Sequence, residues 1–308
     1  NLLELNVSKF DTTSAINMNH MFYNCNKLET IKVDDFKTSN VESMTYMFGR
    51  CSAVKELNVS NFDTTNVTSF RGMFQDCGAV TTLDVDEFKT GKVTNFSCMF
   101  QNCTGLTSLD VSNFDTSAAK EMVFMFENCS ALTSLDLSSF DTTGLDGSNS
   151  GYSYAINGEK VLAVNVDSLL TGCTNLETVL LGSKFDRIDG RYMFNKDSKL
   201  KSIIAMSQTP MQILNDNGEL ADNRLNTTTA VIYVPTEEVE ALYEADSNYA
   251  SKLNFTANTD SARVEPILSL VGEKEITIEP NGTYEEAAKV AGYTSVIDVD
   301  ITPAKVKE

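Results

Sequence analysis

Three aspartates, Asp84, Asp110 and Asp136, recur at intervals of 26 residues, and side chains at one slot of a stacked repeat lie in a row. On parallel strands the row spacing is about 5 Å. Carboxylates aligned at that distance can hold calcium, or serve as the acid and base of a polysaccharide-cleaving groove. The plainer alternative is a solvated row whose repulsion is relieved by Ser108, Ser112, Ser134 and Ser138. That alternative is preferred, and calcium on Asp84, Asp110 and Asp136 ranks ahead of catalysis. No resident metal is expected.

The remaining reactive side chains point to structure. Cys25, Cys51, Cys77, Cys103, Cys129 and Cys173 share one repeat slot, which reads as a ladder of small buried thiols in place of disulfide bridges. No C-x-x-C pair exists and the one histidine, His20, falls on a different face, so zinc is not expected. Cys98 sits apart, in an outer slot shared with His20, Tyr46, Gly72 and Phe124. The methionines at 21, 47, 73, 99, 125 and 193 stand beside an apolar residue at core spacing and read as filler. With one histidine and no tryptophan, no nucleophile and base pair and no glycine-rich phosphate loop emerge. The chain reads as a non-enzyme without a cofactor.

The elements that position these residues follow from the period. Met-Phe occurs at 21, 47, 73, 99 and 125, each followed by a cysteine three residues after the phenylalanine. Within one frame Val67, Phe70, Met73, Phe74, Cys77 and Val80 step by three or four, the period of an amphipathic helix. Val80, Leu83 and Val85 alternate with Thr82, Asp84 and Asp86, the period of a strand. A strand and a helix in so few residues cannot bury a core alone, whereas stacked copies can. The expected fold is therefore an α/β solenoid, with a parallel sheet on one face and helices on the other. One slot alternates charge, reading Asp11, Lys37, Asp63, Lys89, Asp115, Asp141, so coils alternate in type until the last pair.

After Met125 the frame resumes at Leu169-Leu170, and the intervening insertion, near 144–162, carries YSYAI, Asn157-Gly158 and EKVLAV. Asn-Gly between alternating apolar runs predicts a β-hairpin that displays Tyr152 and Tyr154 or folds them back. The outward strand column runs Asn6, Lys32, Asn58, Asp84, Asp110, Asp136, then turns apolar at Leu180, Ile204 and Tyr233. That change marks either a binding zone beside the hairpin or a surface covered by the C-terminal part. VIYVP followed by Thr236 and two glutamates predicts a strand, a hydroxyl cap and a helix, a terminal cap over 230–257. Residues 258–264 read as a linker, and 265–308 as a small C-terminal β appendage.

The frame N-V-T-x-x-x-x-M-F-x-x-C-x-x-L-x-x-L-D-V-S-x-F-D-T resembles the BspA-type leucine-rich repeats of bacterial surface proteins, with LTSLDVSNF at Leu106 and LTSLDLSSF at Leu132 as its strand text. PILSLVGEKEITIEPNGTYEEAA, from Pro266, resembles the opening of bacterial immunoglobulin-like modules. These resemblances imply a leucine-rich-repeat solenoid over 1–257 and a partial immunoglobulin-like module over 265–308. They imply a secreted or cell-surface adhesion protein that binds host protein, matrix protein or glycan, expected here as a monomer. The competing class is a polysaccharide-active enzyme or calcium-dependent binder built on the aspartate row.

Charge narrows the partners. Forty-three acidic against 24 basic residues leave a formal charge of −19, which repels phosphate backbones and anionic headgroups, so nucleic acid is not expected. No apolar run approaches the roughly 20 residues needed to span a bilayer, so direct membrane insertion is not expected either. Leu2, Leu5, Val7 and Phe10 repeat as Leu28, Ile31, Val33 and Phe36, which places Asn1 inside a repeat. The protein is expected to extend beyond it, with any signal or anchor outside this sequence.

Overall fold

The computed structural model describes residues 2–145, 149–156, 159–164, 168–189, 193–194, 196–214, 230–246 and 263–266. Over 2–145 the chain winds into coils that return to the same register one period later. Strand β1 (Glu4–Asn6) pairs in parallel with β2 (Thr30–Lys32), Leu5 opposite Ile31. A second line of parallel bridges joins Asn17, Ser43, Ser69, Asn95 and Glu121, one from each coil. Further on, β3 (Ser134–Leu137), β6 (Thr178–Leu181), β8 (Ser202–Ala205), β10 (Val231–Val234) and β11 (Arg263–Pro266) form one parallel sheet in that spatial order. The insertion supplies β4 (Asn149–Ile156) and β5 (Glu159–Val164), paired antiparallel. Short β7 (Arg187–Asp189) pairs with β9 (Gln212–Leu214) beside the main stack.

The core is continuous from Val7 to Tyr243 and is filled by columns of identical side chains. Phe22, Phe48, Phe74, Phe100 and Phe126 stack with centroids 5.4, 5.9, 5.7 and 5.6 Å apart and nearly parallel rings. Such pairs add about 0.5–1.5 kcal/mol each beyond the area they bury.

This spacing excludes the expected helical half. Helices pack with axes about 8–10 Å apart, and rings that recur below 6 Å leave no room for one helix per coil. The segment 70–80 is instead a run of turns. Amides of Met73, Gln75, Cys77 and Val80 bond carbonyls three residues back, at Phe70, Gly72, Phe74 and Cys77. The alternating amides of Phe70, Gly72, Phe74 and Asp76 bond the next coil at Asn95, Ser97, Met99 and Gln101. Gly72 and Asp76, third residues of two of these turns, have φ of 60° and 58°, the requirement of a type II turn. An α-helix would spend all these amides within itself, whereas here half of them bind coil to coil. The fold is a parallel β-solenoid, and the one described helix is α1 (Glu237–Ala245) near its C-terminal end.

That helix begins as expected, with Thr236 Oγ1 accepting from the Val239 amide at 3.3 Å and three glutamates in or near the first turn. It buries Val239 and Tyr243, and the Tyr243 hydroxyl accepts a hydrogen bond from the Met211 amide at 3.2 Å. Beyond it, Arg263–Pro266, at the seam between the expected linker and appendage, adds to the solenoid sheet as β11 beside β10. The rest of the expected β appendage, 267–308, lies outside the described residues.

A buried threonine ties each coil to the next. Thr12, Thr38, Thr64, Thr90, Thr116 and Thr142 are all buried. Thr90 Oγ1 donates to the Asp115 carbonyl at 3.0 Å and accepts from the Asp115 amide at 2.7 Å. Thr64 does the same with Lys89, and Thr116 with Asp141. One hydroxyl thus satisfies two backbone groups of the neighbouring coil. Thr90→Val keeps the shape and orphans both groups, so a loss of roughly 2–3 kcal/mol is expected in urea unfolding. Exposed Thr65→Val should change stability by less than about 0.5 kcal/mol, and equal losses for the two would refute the coupling.

Candidate functional site

The strand-side column is the face on which the sequence places ligand binding. Asn6, Lys32, Asn58, Asp84 and Asp110 are exposed and Asp136 is half-buried. Each Asn or Asp at this position tends to close a local turn. Asp110 Oδ1 accepts from the Ser112 amide at 3.0 Å and from its hydroxyl at 2.6 Å. Asp136 Oδ1 accepts from the Ser138 amide at 2.8 Å. Asn6 with Ser8 and Asn58 with Ser60 do the same without charge, which identifies the role as an Asx turn.

Asp84 differs. Its partner two residues on is Asp86, and the hydrogen bond they share, then burial and mutual repulsion, raises the Asp84 pKa above the usual carboxylate range. Lys32 holds the same column at an ion pair with Glu4, 2.6 Å. Among the described residues, no three His, Cys, Asp or Glu side chains converge closely enough to hold a metal ion.

The charge-alternating slot works similarly. The Ser117 hydroxyl and backbone amide bond Asp115 and hold its carboxyl below the usual range. Beyond the insertion Asp186 holds this slot, following Phe185 as Asp141 follows Phe140 and donating its amide to Thr142 Oγ1 at 2.9 Å, while Lys184, two residues earlier, reaches Asp141 Oδ2 at 3.1 Å. The slot therefore stays acidic beyond the insertion, with Lys184 beside it, and surface pairs of this kind contribute little singly.

The apolar end of the strand column is covered. Leu180 and Ile204 are each 4% exposed and form a small second cluster with Met206 and half-buried Tyr233, on the opposite face of the sheet from the main core. The strands β6, β8 and β10 are thus buried on both faces, as parallel strands usually are. Tyr152 and Tyr154 lie on β4, and their side chains are outside the described residues.

The cysteines form a hydrogen-bonded ladder. Cys51, Cys77, Cys103, Cys129 and Cys173 donate their thiols to the carbonyls of Phe22, Phe48, Phe74, Phe100 and Phe126, one coil back, at 3.1–3.2 Å. Burial pushes the Cys51 and Cys103 thiols up to about 12, so none is poised as a nucleophile. Met47, Met73, Met99, Met125 and Met193 are core, and Met21, in the first coil, is 38% exposed.

The turn side carries an aromatic and cationic group that no repeat column singles out. His20, Tyr23 and Tyr46 have ring centroids 5.2–5.9 Å apart. Arg50 lies over Tyr23 at 5.5 Å and Arg71 over Tyr46 at 5.8 Å. His20 and Tyr46 share one slot, but Tyr23, Arg50 and Arg71 come from three others in adjacent coils, so no one slot reveals the group. The signal available is that the chain's one histidine falls in the slot that also holds Tyr46.

No curated protein matches this sequence. Among solved structures, a leucine-rich repeat protein from Bacteroides ovatus ATCC 8483 is similar at 19% sequence identity with a TM-score of 0.28, over 67% of this chain and 64% of that one. The chain therefore spans less than two thirds of that protein's length. Residues 1–82 and 76–159, which carry the regular coils and the start of the insertion, match the DUF285 family, described as Mycoplasma protein of unknown function, and since they make up just over half of the chain, the chain belongs to that family.

Proposed function

We propose that the protein is a non-enzymatic, extracellular binding module of the leucine-rich-repeat type, akin to BspA-type adhesins, that engages host or matrix protein or glycan as a monomer. The observation that carries this reading is the exposed strand column from Asn6 to Asp136. Its side chains are held by local turns and ion pairs at one register, on coils locked to each other by backbone bonds. A partner meeting such a strip pays little ordering entropy, and a solenoid extends the strip over many coils.

Asp110→Asn separates this reading from a polysaccharide-active enzyme. Asn58 closes the same turn in another coil, so the substitution should leave stability within about 0.5 kcal/mol. We expect the parent protein to bind in a panel of glycans and matrix proteins, with or without calcium, and to release no reducing ends from polysaccharides. Turnover that Asp110→Asn abolishes would establish the enzyme and sink the proposal. Binding lost on chelation would replace it with a calcium-dependent binder.

A further inference from the structure

The cluster on the turn side is built, since two glycines make room for its rings. A Cβ at Gly72 would stand 2.1 Å from the Tyr46 ring, and one at Gly49 would stand 3.1 Å from both Tyr23 and Tyr46. The tyrosines therefore lie down on the backbone of the following coil. Arg50 covers Tyr23, and Arg71 covers Tyr46.

The turn beneath holds these rings on a left-handed backbone. His20 and Tyr46 have φ of 57° and 53°, a region that costs a bulky residue about 1–3 kcal/mol. Gly72, in the same slot one coil on, has φ of 60° at no such cost. Cys98 and Phe124 hold the same slot with φ of 59° and 60°, so the conformation belongs to the turn of each coil, and what is particular to the first coils is that His20 and Tyr46 carry polar rings there.

A guanidinium stacked on a ring keeps its in-plane N–H donors facing outward and loses little freedom when they engage a carboxylate two at a time. Arg50 is 56% exposed at the side chain, with Asp76 a loose 3.7 Å from its Nε. Arg71 is half-buried and makes further contacts in the turn face. Exposed His20 and the edges of the half-buried tyrosines supply apolar ring surface beside these donors.

We propose that His20, Tyr23, Tyr46, Arg50 and Arg71 form a binding site for an acidic sugar, a uronate or sialate at the end of a short glycan. Its carboxylate meets the Arg50 guanidinium, Arg71 holds the Tyr46 ring in place, and the sugar's ring C–H edges meet the tyrosines and histidine. The net charge of −19 limits that ligand to one or two negative charges, because repulsion by the rest of the surface grows with each charge added. The site lies on the turn side, away from the strand column, so it stands or falls separately from binding on that face.

Calorimetric titration with sialyllactose, with a hexuronate disaccharide, with lactose and with a glutamate-rich peptide tests the assignment. We expect at least one acidic sugar to saturate, and lactose to bind about tenfold more weakly or worse. Arg50→Gln, at an exposed position, should weaken the acidic sugar by about tenfold or more. Tyr46→Gly should do the same with the thermal midpoint preserved, since Gly72 shows that the slot accepts glycine. The proposal is overturned by saturation with neither acidic sugar, by lactose binding equally well, by the peptide binding as tightly as the sugars, or by both variants retaining full affinity.

Discussion

Replacing Asp197 with cysteine is expected to stabilise the protein, and by more at pH 8 than at pH 5. Asp197 occupies the slot that cysteine holds in the preceding coils, with the Leu200 amide bonding its carbonyl as Leu176 bonds that of Cys173. It is 5% exposed, and neither carboxyl oxygen completes a hydrogen bond. Burial raises its pKa from 3.8 to about 8, while the backbone amides of Cys173 and Gly172 offset that only in part. The folded protein therefore holds this proton more tightly than the unfolded chain does. Stability is lost as pH rises from about 4, where the unfolded carboxyl ionises, and the loss levels off near pH 8. Between those two pH values each pH step of one costs about 1.36 kcal/mol, and since the loss levels off near pH 8, roughly 3.5 kcal/mol separates pH 5 from pH 8. A thiol stays neutral across this window and, by the register of the ladder, meets the Leu170 carbonyl. Urea unfolding of parent and Asp197→Cys at both pH values reads the difference directly, since every other titrating group is shared. Parallel profiles would show that Asp197 is not the source of the pH dependence.

The inward residues were legible in the sequence and the element that carries them was not. Val67, Phe70, Met73, Phe74, Cys77 and Val80 are all buried, as their spacing requires. A chain of three-residue turns returns a side chain to the core every third or fourth residue, as a helix does, so periodicity could not separate the two. The turn residues could have. Asn24, Asp76, Asn102, Asn128 and Gly172 share the slot just before the cysteine and all have positive φ, and Asn, Asp and Gly are the residues that tolerate it. Arg50 and Lys196 hold the same slot with φ of 62° and 71°, but a helix has no need of Asn, Asp or Gly at a fixed point in most copies.

The functional residues divide in the same way. The aspartate row at 84, 110 and 136 was visible because one slot defines it, but its turn-closing role depends on the neighbour two residues on. Serine follows Asp110 and Asp136, and Asp86 follows Asp84, so one row contains two kinds of carboxylate. The threonine column was part of the repeat text, yet its double bond to the next coil needs the stacking distance to be known. The turn-side cluster crosses slots and coils at once, and only packing brings it together.

Gly182→Ala is expected to cost more than about 3 kcal/mol, the high end for overpacking, because the obstruction is backbone and not a side chain that can turn aside. Gly182 follows β6 and faces Ser138, which follows β3. A Cβ there would lie 1.8 Å from the Ser138 carbonyl oxygen and 2.6 Å from its carbonyl carbon. Ordinary contact would require the two coils to separate where Gly182 donates to the Leu137 carbonyl and β3 pairs with β6. Gly144 supplies the matched control: it is exposed, and a Cβ there would meet its nearest atoms at 3.6 Å. Gly144→Ala should be neutral or stabilising by up to about 1 kcal/mol, through loss of unfolded-state freedom alone. In a stack stabilised by neighbour contacts, a strained junction also weakens cooperativity. Urea unfolding of Gly182→Ala should therefore separate into two transitions, the coils before β3 persisting after the sheet from β6 onward has melted. A single transition at the parental midpoint would mean that the two coils part without cost, and that the close approach at Ser138 does not hold them together.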